Sequence, residues 1–176
     1  MTGMVMQLMS CEIIVALDYA NIEQARAMLQ HLSPGQCKLK IGKQMFTLFG
    51  PDFVRECVEL GFDVFLDLKF HDIPNTVANA ITAACELGVW MMTVHVQGGV
   101  AMLQAARHAV DAFVGEKPKL VGVTVLTSLC DQDLCQLGMN DTVDQLVLRY
   151  ADLAQQARLD GVVCSAHEAG LLRDQY

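Results

Sequence analysis

The sequence predicts an α/β fold: a parallel sheet covered by helices and wound as a (β/α)₈ barrel, with about six of the eight units present. Three observations carry this expectation. Short apolar runs alternate with longer stretches of helical periodicity, the pattern of strand–helix–strand units whose strands are buried on both faces. Glu59-Leu60-Gly61, Glu86-Leu87-Gly88 and Leu159-Asp160-Gly161 each set a glycine between a helical stretch and the next apolar run, where a left-handed residue ends a helix. Polar residues gather where the apolar runs stop: Asp18, Lys40, Asp67 with Lys69, His95, Thr127 and Ser165.

The elements follow in order. Glu12–Leu17 is the first strand, and a helix runs from about Asn21, a good N-cap, to His31. Cys37–Gly42 is the second strand, followed by helical Pro51–Leu60. Phe62–Leu68 is the third strand, and Pro74, suited to a first helical turn, opens the next helix. Val89–Val96 and Val100–Phe113 form the fourth unit, Leu120–Leu126 and Thr142–Arg158 the fifth. Val162–Ser165 and Ala166–Asp174 form the sixth. Residues 1–10 read as an N-terminal extension and 11–176 as a single domain, since no linker or low-complexity stretch divides them.

An open doubly wound sheet is built from the same units. Its dinucleotide-binding version needs Gly-x-Gly-x-x-Gly after the first strand, where this chain has Ala16-Leu17-Asp18-Tyr19. Polar strand ends instead match a barrel, whose active sites form on the C-terminal face.

Composition removes several function classes. The 176 residues are 53% hydrophobic and 18% charged, against about 25% charged in typical soluble domains, which excludes a disordered chain. The net charge of -8 disfavours nucleic acid and anionic membranes. No apolar stretch approaches the roughly 20 residues that span a bilayer. Seven scattered cysteines without Cys-x-x-Cys read as reduced, mostly buried thiols, and place the protein in the cytoplasm.

The richest segment is Asp67-Leu68-Lys69-Phe70-His71-Asp72-Ile73-Pro74-Asn75-Thr76. Strand alternation turns Asp67 and Lys69 to one face, and likewise Lys38 and Lys40, so a barrel sets Lys40 beside Asp67 and Lys69. Each opposite charge holds its partner ionised. A substrate carboxylate about 4 Å from Asp67 is repelled by roughly 4 kcal/mol at an effective dielectric of 20. That repulsion vanishes when the carboxylate leaves as neutral CO₂, and the Lys69 ammonium can stabilise and protonate the remaining carbanion. Such a preorganised array needs neither metal nor cofactor. Charge arithmetic also permits an enolisation or an aldol step.

The run Asp67–Thr76 closely resembles the signature of the orotidine 5′-phosphate decarboxylase family. Val15-Ala16-Leu17-Asp18, Lys38–Lys43, Val123–Ser128 and Gly161–Ala166 add to the resemblance, which runs from about Ile13 to the last residue. It implies a homodimer of (β/α)₈ barrels converting orotidine 5′-monophosphate to UMP and CO₂ in pyrimidine synthesis. It further implies Lys69 as proton donor to C6, Asp67 as the anion near the departing carboxylate, and Lys40 as the neighbouring lysine contacting the ribose. Asp72 belongs to the same tetrad and reaches into the partner subunit's site with Ile73 and Thr76, while Asp18 holds ribose hydroxyls and Thr127 lies over the base. Monomers are then expected to be inactive.

Other residues carry blander expectations. His71 reads as a hydrogen-bonding structural residue, His95 as a packed or substrate-edge residue, and Gly98-Gly99 as the turn opening a helix. Met91, Met92 and Met102 read as core. The nearest rivals are Mg²⁺-dependent sugar-phosphate decarboxylases and aldolases sharing Asp-x-Lys-x-x-Asp, and a catalytically dead UMP-binding fragment. The second arises because the family's Pro-Gly-x-Arg segment, glutamine and Gly-Arg pair, which grip the phosphate in two further units, have no counterpart in these 176 residues. The 176-residue polypeptide alone is therefore expected to turn over weakly or not at all. Loss of orotidine monophosphate absorbance measures this, and turnover at the family's usual rate would refute it.

Overall fold

Six strands form in a computed structural model that describes residues 13–176; the N-terminal extension, Cys11 and Glu12 lie outside the described residues. The strands are β1 (Ile14–Leu17), β2 (Lys38–Gly42), β3 (Val64–Phe70), β4 (Met91–His95), β5 (Lys119–Val123) and β6 (Gly161–Val163). Between and after them run α1 (Ile22–Leu29), α2 (Lys43–Glu59), α3 (Pro74–Cys85), α4 (Gly99–Ala112), α5 (Asp131–Gln136), α6 (Val143–Gln156) and α7 (Glu168–Gln175). All pairings are parallel and the sheet order is β1-β2-β3-β4-β5-β6. A doubly wound sheet reverses its strand order at a switch point. A strictly sequential parallel order is the winding of a barrel, and six of its strands are described.

Alternation divides each strand between two faces. Leu17, Leu39, Ile41, Val64, Leu66, Met92, Val94 and Leu120 are buried in the core beneath the helices. Their neighbours Lys38, Lys40, Phe65, Asp67, Thr93, His95, Val121 and Val123 occupy the alternate positions, which form the inner face of the sheet. The helices supply the other half of the core with Met45, Phe53, Ile81, Leu103, Ala106, Val110, Leu146 and Val147. Met92 and Met102 are fully buried within it.

Local signals set most boundaries. Asn21 caps α1 by accepting the Glu23 amide at 2.7 Å, Pro74 is the first residue of α3, and Thr142 and Gln145 cap α6 reciprocally. Gly61 and Gly88 end their helices at φ 87° and 73° as the joints predict. The third joint differs: Arg158 takes the left-handed position at φ 57°, and Gly161 enters β6. The helix expected from Pro51 is present, and a further helical stretch from Lys43 precedes it; the two halves of α2 meet at a kink at Gly50, where φ 64° and Pro51 interrupt the hydrogen-bond ladder. Helix α5 escapes sequence reading because six residues are too short for a periodic signal.

Cys37, Cys57 and Cys85 are buried, Cys164 is half-buried, and Cys130 and Cys135 are exposed; all six are free thiols. Burial pushes the Cys57 thiol up to about 12, leaving it unreactive. Among the described residues, no helix is long and apolar enough to cross a membrane.

Ile81 is fully buried where α3 meets the core. Replacing it with Ala should cost about 2–5 kcal/mol of stability, read from the urea midpoint at unchanged slope.

Candidate functional site

The charged side chains stand at the C-terminal ends of the first three strands. Asp18 follows β1 directly, and its Oδ1 lies 3.5 Å from Lys40 Nζ on β2. On β3, Lys69 Nζ donates to Asp67 Oδ2 at 2.7 Å, with the Asp67 side chain only 14% exposed. The β2–β3 register sets Gly42 opposite Asp67 and Lys40 opposite Phe65. Lys40 thus stands one strand away from the Asp67–Lys69 pair, and its ion pair is with Asp18; no direct Lys40–Asp67 ion pair forms among the described residues. Two adjacent carboxylate–ammonium pairs result, where sequence reading expects one group.

Asp67 and Lys69 meet through a break in strand geometry rather than through simple alternation. Leu66 pairs with Met92 and Phe70 with Val94, so β3 advances from 66 to 70 while β4 advances from 92 to 94. The surplus is taken up at Asp67–Lys69, a bulge that re-aims side chains. Within it Lys69 adopts φ 54°, a left-handed conformation costing about 1–2 kcal/mol for a residue with a Cβ. Surrounding structure must sustain such strain. The Lys69 amide donates to Thr93 Oγ1 at 2.9 Å, and the Thr93 hydroxyl donates to Asp67 Oδ1 at 3.1 Å. Thr93 is fully buried on β4. Sequence reading did not single it out; its one signal is a hydroxyl between Met92 and Val94 in an otherwise apolar strand, two residues before His95.

Among the described residues, the remaining candidates form no hydrogen bond or ion pair with this group. Residues 71–76 are exposed throughout, and Ile73 is 66% exposed. Asp72 accepts the Ile73 amide at 2.7 Å and forms no ion pair among the described residues. Thr76 lies in the first turn of α3, and Thr127 is exposed in the loop after β5. Ser165 lies in the turn before α7, its amide donating to Glu168 Oε2 at 2.8 Å. Gly98-Gly99 is the turn opening α4, with Gly99 at φ 80°. A cavity of about 390 Å³ around Trp90 and Phe113 lies at the opposite, N-terminal end of the strands, away from these charges.

The His71 and His95 rings face each other at a tilt, with centroids 5.3 Å apart and an interplanar angle of 41°. His95 Nδ1 is buried without a hydrogen-bond partner among the described residues. Burial is the main force lowering the His95 pKa from its ordinary 6.5; His71, Lys43 and Lys69 push it the same way, and Asp67 opposes them. At this residue the unfolded chain then binds more protons than the folded one just below pH 6.5, so the His95 contribution to stability rises with pH there. His95→Gln should flatten this part of the profile, measured as urea midpoints at stepped pH, while an unchanged slope would exclude His95 as its source.

Comparison with known proteins extends this geometry. The sequence model of the Orotidine 5'-phosphate decarboxylase / HUMPS family matches residues 12–175. The chain is 56% identical over 162 residues to an orotidine 5'-phosphate decarboxylase of Vibrio cholerae, covering 92% of this chain and 70% of that protein. It is 52% identical over 164 residues to the enzyme of the same name from Vibrio parahaemolyticus, with 93% and 70% covered. The crystal structure of the Lactobacillus acidophilus orotidine 5'-phosphate decarboxylase superposes with TM-score 0.88 at 37% identity, covering 93% of this chain and 75% of that one. With its fold, its Asp67–Lys69 pair and its sequence all agreeing, the chain belongs to the orotidine 5'-phosphate decarboxylase / HUMPS family.

Proposed function

We propose that the protein decarboxylates orotidine 5′-monophosphate to UMP in pyrimidine biosynthesis through a charge array that uses no metal and no cofactor. The observation that carries the reading is the Asp67–Lys69 pair, held 2.7 Å apart at the end of β3. Asp67 presses on the substrate carboxylate, and binding of the rest of the nucleotide offsets that repulsion. The bond from C6 to the carboxylate carbon breaks, its electron pair stays on C6, and CO₂ departs without charge. The Lys69 ammonium stabilises the carbanion and transfers its proton to C6, then regains one from solvent. The field is in place before the reaction, so little reorganisation is needed.

Lys40 and Asp18, already paired at the ends of β2 and β1, contact the ribose hydroxyls. Thr127 lies over the base from the loop after β5. Asp72, Ile73 and Thr76 serve the site of a second subunit; their exposure, and the exposure of an apolar residue beside a carboxylate, supports this assignment. The working form is a homodimer in the cytoplasm, and specific activity falls on dilution as dimers separate.

Relatives named orotidine 5'-phosphate decarboxylase favour the nucleotide substrate over a Mg²⁺-dependent sugar-phosphate reaction. In the complete protein, Lys69→Ala should lower decarboxylation at least about 10³-fold with an unchanged circular-dichroism spectrum. Activity should persist in EDTA. Strict metal dependence would support the sugar-phosphate alternative, and calorimetric binding of UMP without turnover would indicate a ligand-binding protein.

A further inference from the structure

We infer that Thr93 is a positioning residue that sets the geometry of the Asp67–Lys69 pair, a role that rests on the decarboxylase reading only for its kinetic consequence. The bulge in β3 takes the Lys69 amide out of regular pairing with β4, between the Leu66–Met92 and Phe70–Val94 partners. A buried amide without an acceptor is strongly disfavoured. Thr93 Oγ1 supplies that acceptor at 2.9 Å. Its single proton then goes to Asp67 Oδ1 at 3.1 Å. One hydroxyl therefore ties the backbone of the lysine to the carboxylate of the aspartate, and Lys69 Nζ closes the loop on the other oxygen at 2.7 Å.

Each bond in this loop constrains a different freedom. The amide bond anchors Lys69 in its left-handed conformation at φ 54°, which directs the whole side chain. The hydroxyl bond restrains rotation of the Asp67 carboxylate and leaves Oδ2 to face the ammonium. Thr93 is fully buried on the inner face, so solvent cannot replace it readily at either partner. A core position asking only for volume would accept valine, which matches threonine in shape and lacks both hydrogen-bonding capacities. The cost of such a change should fall on alignment rather than on nucleotide binding, because Thr93 touches the lysine and the aspartate and sits behind them.

The test compares Thr93→Val and Thr93→Ser in the complete protein, with Thr93→Ala in place of valine where the latter does not fold. A displacement of about 1 Å can cost about 100-fold in rate, so Thr93→Val should lower kcat by about that factor with KM held within about twofold. Thr93→Ser keeps the hydroxyl and should recover kcat to within about fivefold of the parent. Independently of turnover, amide hydrogen exchange should accelerate at Lys69 in the valine variant, and not in the serine variant, while Leu66 and Val94 exchange as before. Full kcat in Thr93→Val, equal losses in both variants, or unchanged exchange at Lys69 would each overturn the inference. If the parent protein shows no decarboxylation, the decarboxylase reading fails, and exchange at Lys69 alone decides whether Thr93 holds the loop.

Discussion

The pairing of β3 with β4 is the constraint on which the rest of the site depends. It is regular through Leu66 and Met92 and regular again at Phe70 and Val94, and between them the chain stores two surplus residues. A regular ladder would satisfy every amide and leave Lys69 in an ordinary extended conformation. The bulge instead gives up ladder bonds and accepts a left-handed lysine, and Thr93 makes good the lost hydrogen bond. Backbone strain of this kind persists only where the surroundings over-determine it. Here the surroundings are rigid: Leu66, Met92 and Val94 are fully buried on the helix-covered face.

That rigidity comes from the division of the sheet into two faces. Aliphatic side chains of the outer face bury themselves beneath α1 to α6, and this burial is the main source of stability. The inner face is thereby relieved of a purely structural task and can carry Lys40, Asp67, Thr93 and His95. Partial burial also strengthens the electrostatics there, since charges in a low-dielectric environment interact more strongly than in water. The same environment disfavours a charged imidazole at His95 beside two lysines, so the site favours a neutral ring next to its ion pairs.

Much of the architecture was legible because its signals are local. Apolar runs marked all six strands, Asn21, Pro74 and Thr142 marked helix starts, and Gly61 and Gly88 marked helix ends. Arg158 shows the limit: a residue with a Cβ can occupy the left-handed position when packing compensates, and nothing local announces it. Helix α5 and the Lys43–Phe49 half of α2 were missed because one is too short for periodicity and the other is separated from its second half by Gly50-Pro51. At the site, Asp18, Lys40, Asp67 and Lys69 were recognisable as charges interrupting apolar strands. Thr93 was not, because a single threonine is an ordinary strand residue until its hydrogen-bond partners are known.

By itself, the sequence determined which segments are strands, which faces of them are apolar, and which charges stand at their C-terminal ends. Those properties follow from the periodicity of side chains along a single element, and the run from Asp67 to Thr76 carried the family resemblance in the same local way. The tertiary structure decided which charges meet. Register between neighbouring strands paired Lys40 with Asp18, set Gly42 across from Asp67, and placed the Thr93 hydroxyl between the Lys69 amide and the Asp67 carboxylate. Register is a property of two segments far apart in the chain, fixed by packing against the helices, and no pattern within either segment contains it.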